Sequence, residues 1–164
     1  MKIRYALIGS RFGELLAIAR DARLAGLYFV GQKDQPDIGA LEREGARRDD
    51  DWPVLAETRR QLAEYEAGRR VAFDLPIELA GTDFQRRVWA QLLDIPCGQT
   101  RSYADVARAA GSPRGVRATG AAIGRNPVSL VVPCHRVVGS DGSLTGYTGG
   151  LERKRALLRH ERAL

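Results

Sequence analysis

The character of this chain changes at a linker near Ala80-Gly81, from mostly strand signals before it to helical ones after it, and that change points to folds in which sheet and helix are segregated. Before it, residues 3–10, 14–20 and 23–30 read as short strands, with turn signals at Arg11-Phe12-Gly13 and Asp21-Ala22. Val71, Phe73, Leu75 and Ile77 alternate cleanly, which predicts a half-buried strand. Pro53 opens a helix that runs to about Ala67 and stops at Gly68. The polar stretch from Gln32 to Asp51 predicts a loop or a poorly ordered crossover. No internal repeat or low-complexity tract interrupts the pattern.

Downstream the signals are helical. Thr82 and Gln85 form a capping-box pair, after which Phe84, Val88 and Leu92 share one face. Pro96 and Gly98 end that helix, Ser102 caps a second through about Ala110, and Gly111 stops it. Ser112-Pro113 is expected to cap a third helix running to about Gly124, so the pair reads as a helix-turn-helix. Its second helix is built mostly of small residues, suited to close approach by another helix or by a DNA groove. Asn126-Pro127 turns the chain into the apolar run Leu130–Val132, and a loop rich in glycine follows from Gly139 to Gly150. A last helix, from about Leu151 to His160, turns Leu157 and Leu158 inward and ends at Glu161. The expected class is α+β, with a small sheet domain over residues 1–80 and a mainly helical domain over 81–164.

At 164 residues the chain is long enough to bury a real core, and its 44% hydrophobic and 28% charged composition is that of a globular protein. Met1 to Ser10 carries no signal-peptide core, and runs such as Ala25–Gly31 are too short to span a bilayer. Two cysteines cannot build a disulfide framework, so a reducing cytoplasm is the expected compartment. With no CxxC and two histidines, no structural zinc is expected. Residues 1–80 hold 13 Lys/Arg against 14 Asp/Glu, whereas residues 81–164 hold 13 against 6. The basic excess lies wholly in the second half. It points to a polyanionic partner, most simply nucleic acid, or to a solvated arginine-rich surface.

That half also contains Val131-Val132-Pro133-Cys134-His135-Arg136-Val137-Val138, where a thiol, an imidazole and a guanidinium share a segment that otherwise reads as buried strand. Burying polar groups is costly unless they are paired or used. A free thiol, with pKa roughly 8.5, attacks only as thiolate and needs a base or a positive field, for which His135 and Arg136 are the local candidates. Adjacent strand residues face opposite ways, so Cys134 and His135 would need a turn or a bridging water. Glu161 and Asp141 are the acids available to orient the imidazole. The plainer alternative is an inert buried cysteine beside a surface histidine. Cys97 has no such neighbours and reads as structural or incidental. A cysteine protease leaves the basic half unexplained, and a redox thiol would have only Cys97 as its resolving partner. An alkyl acceptor working on DNA uses every feature.

Pro133-Cys134-His135-Arg136-Val137-Val138 resembles the acceptor motif of the O6-alkylguanine-DNA alkyltransferases. Arg117-Ala118-Thr119-Gly120 and Asn126-Pro127 precede it, and Gly146-Tyr147-Thr148-Gly149-Gly150 and His160-Glu161 follow it, at the family's spacing. Gly81-Thr82-Asp83-Phe84-Gln85 with Val88-Trp89 is similar to the start of the family's C-terminal domain. Coverage is strong over 81–161 and weak over 1–80. The resemblance implies a ribonuclease H-like N-terminal domain, a winged-helix-like C-terminal domain, and irreversible single-turnover transfer from guanine O6, or thymine O4, to Cys134.

By the same resemblance His135 deprotonates Cys134 through a water, Glu161 orients His135, Tyr103 donates toward guanine N3, and Asn126 is a hinge. Arg117 fills the gap left by the extruded base, with Ser102, Ala118, Gly120, Arg125 and Arg136 also on the DNA. Tyr147, Thr148 and Val137 border the guanine, with the Thr148 N–H aimed at O6. No cofactor is implied. Zinc-binding members use N-terminal cysteines and histidines absent here, so no metal is expected. Relatives lacking the acceptor cysteine have lost activity, whereas Cys134 is present. Thr148 stands where a serine or smaller residue is usual, which is expected to narrow the pocket. The implied partner is duplex DNA carrying alkylated guanine, bound by a monomer, with cooperative binding left open. The alternative is a damage-recognition or regulatory DNA binder with no enzymatic step.

Overall fold

The computed structural model describes residues 1–164, which divide into two compact units, Met1–Leu79 and Ala80–Leu164. In the first, β1 (Ile3–Ile8), β2 (Leu15–Arg20), β3 (Arg23–Phe29) and β4 (Arg47–Arg48) form one sheet in the order β3-β2-β1-β4. The first three strands run antiparallel, and β4 joins β1 in parallel. A two-residue turn with Asp21 at φ 51° closes the second hairpin, and the Lys2 N–H donates to the Asp21 carboxylate at 2.8 Å.

Both faces of this sheet are covered, so β2 (Leu-Leu-Ala-Ile-Ala-Arg) reads as a continuous apolar run rather than an alternating one. One face packs on α2 (Pro53–Glu66), whose Leu55, Leu62 and Tyr65 are buried. On the other, Tyr5, Leu16, Ile18 and Ala46 cluster against Ile38 and Leu41 of α1 (Ile38–Arg43).

Helix α1 and strand β4 correct the reading of 32–51 as an irregular crossover. Asp37 follows Pro36 and accepts the Ala40 N–H at 2.9 Å, which starts a helix in a segment whose polar composition hides it. A second correction concerns Val71–Ile77, which forms no strand. The Gln61 side chain accepts the Asp74 N–H and donates to the Asp74 carbonyl, both at 2.8 Å, replacing a ladder partner. Pro76 has no N–H to give, and a single bridge, Leu24 with Ile77, remains.

In the second unit α3 (Asp83–Leu93) starts at the expected capping box, with Gln85 N–H donating to Thr82 Oγ1 and Thr82 N–H to Gln85 Oε1. Val88, Trp89 and Leu92 are buried, and Trp89 Nε1 donates to the Ala122 carbonyl at 2.8 Å. Gly81 is needed beside that ring, because a Cβ there would lie 2.6 Å from Trp89 Cη2. β5 (Arg101–Ser102) leads into α4 (Tyr103–Ala109), capped by Ser102 and Asp105 as a second capping box. Gly111, at φ +79°, ends it.

α5 (Val116–Gly124) packs on α3 and α4. The expected cap at Ser112-Pro113 is corrected here. Gly115 N–H donates to the Ser112 carbonyl at 2.8 Å, so 112–115 is a turn with Pro113 at its second position, and the helix begins one turn later. β6 (Val137–Val138) pairs in parallel with β5, and α6 (Leu151–His160) turns Leu157 and Leu158 inward.

Candidate active site

The segment before the thiol is set by one side chain. Asn126, buried after α5, donates through Nδ2 to the Val132 carbonyl at 2.7 Å and accepts the Val128 N–H through Oδ1 at 3.0 Å. This clamp folds residues 126–132 into a tight buried turn in which Leu130 adopts φ 70°. The apolar run therefore does not form the strand that its composition suggests. Cys134–Arg136 is one turn of 3₁₀ helix, running straight into β6. In such a turn successive residues point a third of a turn apart rather than to opposite faces. The strand objection to a Cys134–His135 partnership thus disappears.

Cys134, His135, Arg136 and Glu161 are all buried. Glu161, at the end of α6, accepts from Arg136 Nε at 2.8 Å and from Arg136 Nη2 at 3.0 Å, while His135 Nε2 lies 2.8 Å from its Oε2. Burial alone would raise the Glu161 carboxyl, but the hydrogen bonds from His135 and Arg136 outweigh it and hold the group well below the usual carboxylate range. An ionised Glu161 can only accept, so Nε2 carries the proton and Nδ1 keeps its lone pair. Nδ1 is buried with no hydrogen-bond partner. Burial also lowers the basicity of His135, against the opposing pull of Glu161, which keeps the ring neutral at neutral pH. Burial raises the Cys134 thiol, while hydrogen bonding from Asn126 and the nearby Lys154 ammonium pull the other way.

Cys134 opens onto a cavity of about 180 Å³ lined also by Tyr103, Gly120, Ile123, Gly124, Gly146, Tyr147 and Thr148. Tyr103 Oη donates to the Thr145 carbonyl at 2.7 Å, and burial raises its pKa. Thr148 Oγ1 donates to the Gly124 carbonyl at 2.8 Å. Arg117, Ala118 and Arg125 are exposed on or just after α5, and Ser102 is half-buried as the α4 cap.

Two assignments are corrected. Arg136 is not a surface contact for DNA, because its guanidinium is turned inward onto Glu161 and onto the Ile95 carbonyl at 2.7 Å. Val137 does not border the cavity; it is fully buried in β6 against β5. Asp141, the other acid considered for His135, instead accepts the Ser143 N–H in the exposed loop.

Lys154 joins these residues although no sequence motif marks it. It is fully buried, with Nζ donating to the Thr145 carbonyl at 3.0 Å and the Gly146 carbonyl at 3.2 Å, and it lies 5.7 Å from the Tyr103 ring centre. Burial lowers its pKa to about 8. Its position three and four residues before Leu157 and Leu158, on their inward stripe, is the signal that could have found it. No group of three or more His, Cys, Asp or Glu side chains is placed to hold a metal ion, and no helix is long and apolar enough to cross a membrane.

Residues 83–163 match the DNA-binding domain of 6-O-methylguanine DNA methyltransferase, and residues 3–79 match its ribonuclease-like domain. A methylated-DNA--protein-cysteine methyltransferase of Mycolicibacterium paratuberculosis is 44% identical over 98% of this chain and 93% of its own length. The inducible enzyme of that name from Bacillus subtilis is 47% identical over 82% of this chain and 78% of its own. Among solved structures, Mycobacterium tuberculosis OGT in complex with DNA superposes with a TM-score of 0.86 at 40% identity, covering 99% of this chain and 94% of that one. With both halves matched, this chain belongs to the 6-O-methylguanine DNA methyltransferase family.

Proposed function

We propose that this protein repairs alkylated duplex DNA directly, moving the alkyl group from guanine O6, and from thymine O4, onto Cys134 in one irreversible turnover. The observation that carries the reading is the placement of a buried thiol on a cavity wall, with a neutral imidazole held by an ionised carboxylate beside it. His135 Nδ1, the ring nitrogen without a partner, takes the Cys134 proton through a bridging water. The thiolate attacks the alkyl carbon, the C–O6 bond breaks, and the Tyr103 hydroxyl, turning from the Thr145 carbonyl, donates toward guanine N3 to meet the charge developing on the leaving base.

A target inside a duplex must first be rotated out of the stack. α5 supplies the tool, since Arg117 is exposed on it while Gly120, Ile123 and Gly124 of the same helix line the cavity. Ser102, Ala118 and Arg125 join Arg117 in holding the backbone, and Tyr147 and Thr148 border the base. The protein acts as a monomer in the cytoplasm, a setting suited to its two free cysteines. The deciding experiment is intact mass after incubation with a duplex carrying O6-methylguanine. The native chain gains one methyl group and Cys134→Ser gains none; an unchanged native mass with DNA still bound would leave only a binding protein.

A further inference from the structure

One wall of the cavity is rigid and the other is a loop. On the rigid side, Gly120 and Gly124 present backbone of α5, which is pinned through the Trp89–Ala122 hydrogen bond and the buried Ala122 and Ile123. On the other lies the segment from Gly139 to Gly150, whose glycines give it little conformational restraint of its own. Any room for a larger substituent has to come from that loop.

Side chains tie it down at several points, and at its C-terminal end Arg153 Nη1 donates to the Gly149 carbonyl at 2.6 Å. Tyr103 Oη donates to the Thr145 carbonyl, and Lys154 Nζ donates to the carbonyls of Thr145 and Gly146, which fixes the loop near its middle. Beyond them, Thr148 Oγ1 donates to the Gly124 carbonyl at 2.8 Å, a tie from the loop side of the cavity to the α5 side. The Thr148 hydroxyl thus joins a loop residue to an α5 carbonyl, and both residues line the space onto which Cys134 opens.

We propose that the Thr148–Gly124 hydrogen bond is a latch that sets the largest alkyl group Cys134 can accept. The proposal rests on the alkyl-transfer reading above and adds a specificity determinant to it. With the latch closed, a methyl group reaches Cys134 without moving the loop, whereas a benzyl group must break the latch first. Discrimination then comes from the hydroxyl, not from the bulk of the threonine methyl.

Three variants separate those causes: Thr148→Ser keeps the hydroxyl and removes the methyl, Thr148→Val keeps the bulk and removes the hydroxyl, and Thr148→Ala removes both. The measured quantity is the rate of mass gain on Cys134 from duplexes carrying O6-methylguanine or O6-benzylguanine, expressed as the benzyl-to-methyl ratio. Loss of one hydrogen bond predicts a ratio raised about threefold to tenfold in Thr148→Ala and Thr148→Val. Thr148→Ser is expected to keep the native ratio. A native ratio in Thr148→Val, a raised one in Thr148→Ser, or no change in Thr148→Ala overturns the latch. Failure of the native chain to gain mass from either duplex would overturn the alkyl-transfer reading itself, a different result from methyl gain with an unaltered ratio.

Discussion

Arg136 grips both oxygens of Glu161, through Nε at 2.8 Å and Nη2 at 3.0 Å, while the same carboxylate meets His135 Nε2 at 2.8 Å. The guanidinium therefore acts on His135, the proposed base, at one remove. It keeps Glu161 ionised, the ionised carboxylate fixes the imidazole tautomer, and the tautomer leaves Nδ1 as the acceptor. Replacing Glu161 with Gln removes the charge and leaves Arg136 buried without a counterion. Alkyl transfer should slow about a hundredfold or more. Stability should fall by about 3 kcal/mol in urea denaturation. A variant with native rate would remove Glu161 from the relay.

His135 makes stability depend on acidity in a definite direction. Its folded-state basicity is lowered by burial from the ordinary value of 6.5. As pH falls below about 6.5 the unfolded chain binds the proton first, so stability present at neutral pH is lost on the acid side. The depressed Glu161 carboxyl adds a loss of the same sign at lower pH, below the ordinary carboxylate range. Urea midpoints of the native chain should drop between pH 7 and pH 5, and His135→Asn should flatten that slope. An equal slope in both would place the titrating group elsewhere.

Asn126 satisfies two buried backbone groups at once, the Val128 N–H and the Val132 carbonyl. Asn126→Ala orphans both, which should reduce stability by about 2 kcal/mol. Because those contacts shape the turn ahead of Cys134, the alkylation rate should fall as well. Thermal unfolding together with mass-gain kinetics checks both effects, and a stable variant with a native rate would deny Asn126 its hinge role.

Arg117 sits exposed on the helix whose other residues line the cavity. Arg117→Ala should slow repair of O6-methylguanine in duplex DNA by about tenfold or more, since it removes the side chain proposed to fill the vacated stack. Reaction with free O6-benzylguanine should change far less. Equal slowing of both reactions would argue against the finger role.

Much of this was legible along the chain because the signals are local. Thr82 with Gln85 and Ser102 heading its helix could be recognised without a partner, since capping satisfies backbone groups within one turn. The two hairpin turns and the run of β2 were legible for the same reason. Segment 32–51 reads as a loop because a six-residue helix offers too few apolar positions to show a period, although Asp37 marks its start. Val71–Ile77 alternates like a strand, but whether a strand forms depends on a neighbour with free hydrogen-bonding groups, and Gln61 took that place.

By itself the sequence determined which groups are available for the proposed chemistry: one thiol between an asparagine turn and an imidazole, an acid at the end of the last helix, and an arginine on a helix of small residues. Only the tertiary structure decided which way those groups face. Arg136 turns inward and Val137 packs into β6, Lys154 enters the core to hold the loop, and Thr148 reaches across to α5. Residue identity sets what a side chain can donate, accept or titrate, but its burial and its partner come from segments far away in the chain, and those are brought together only by folding.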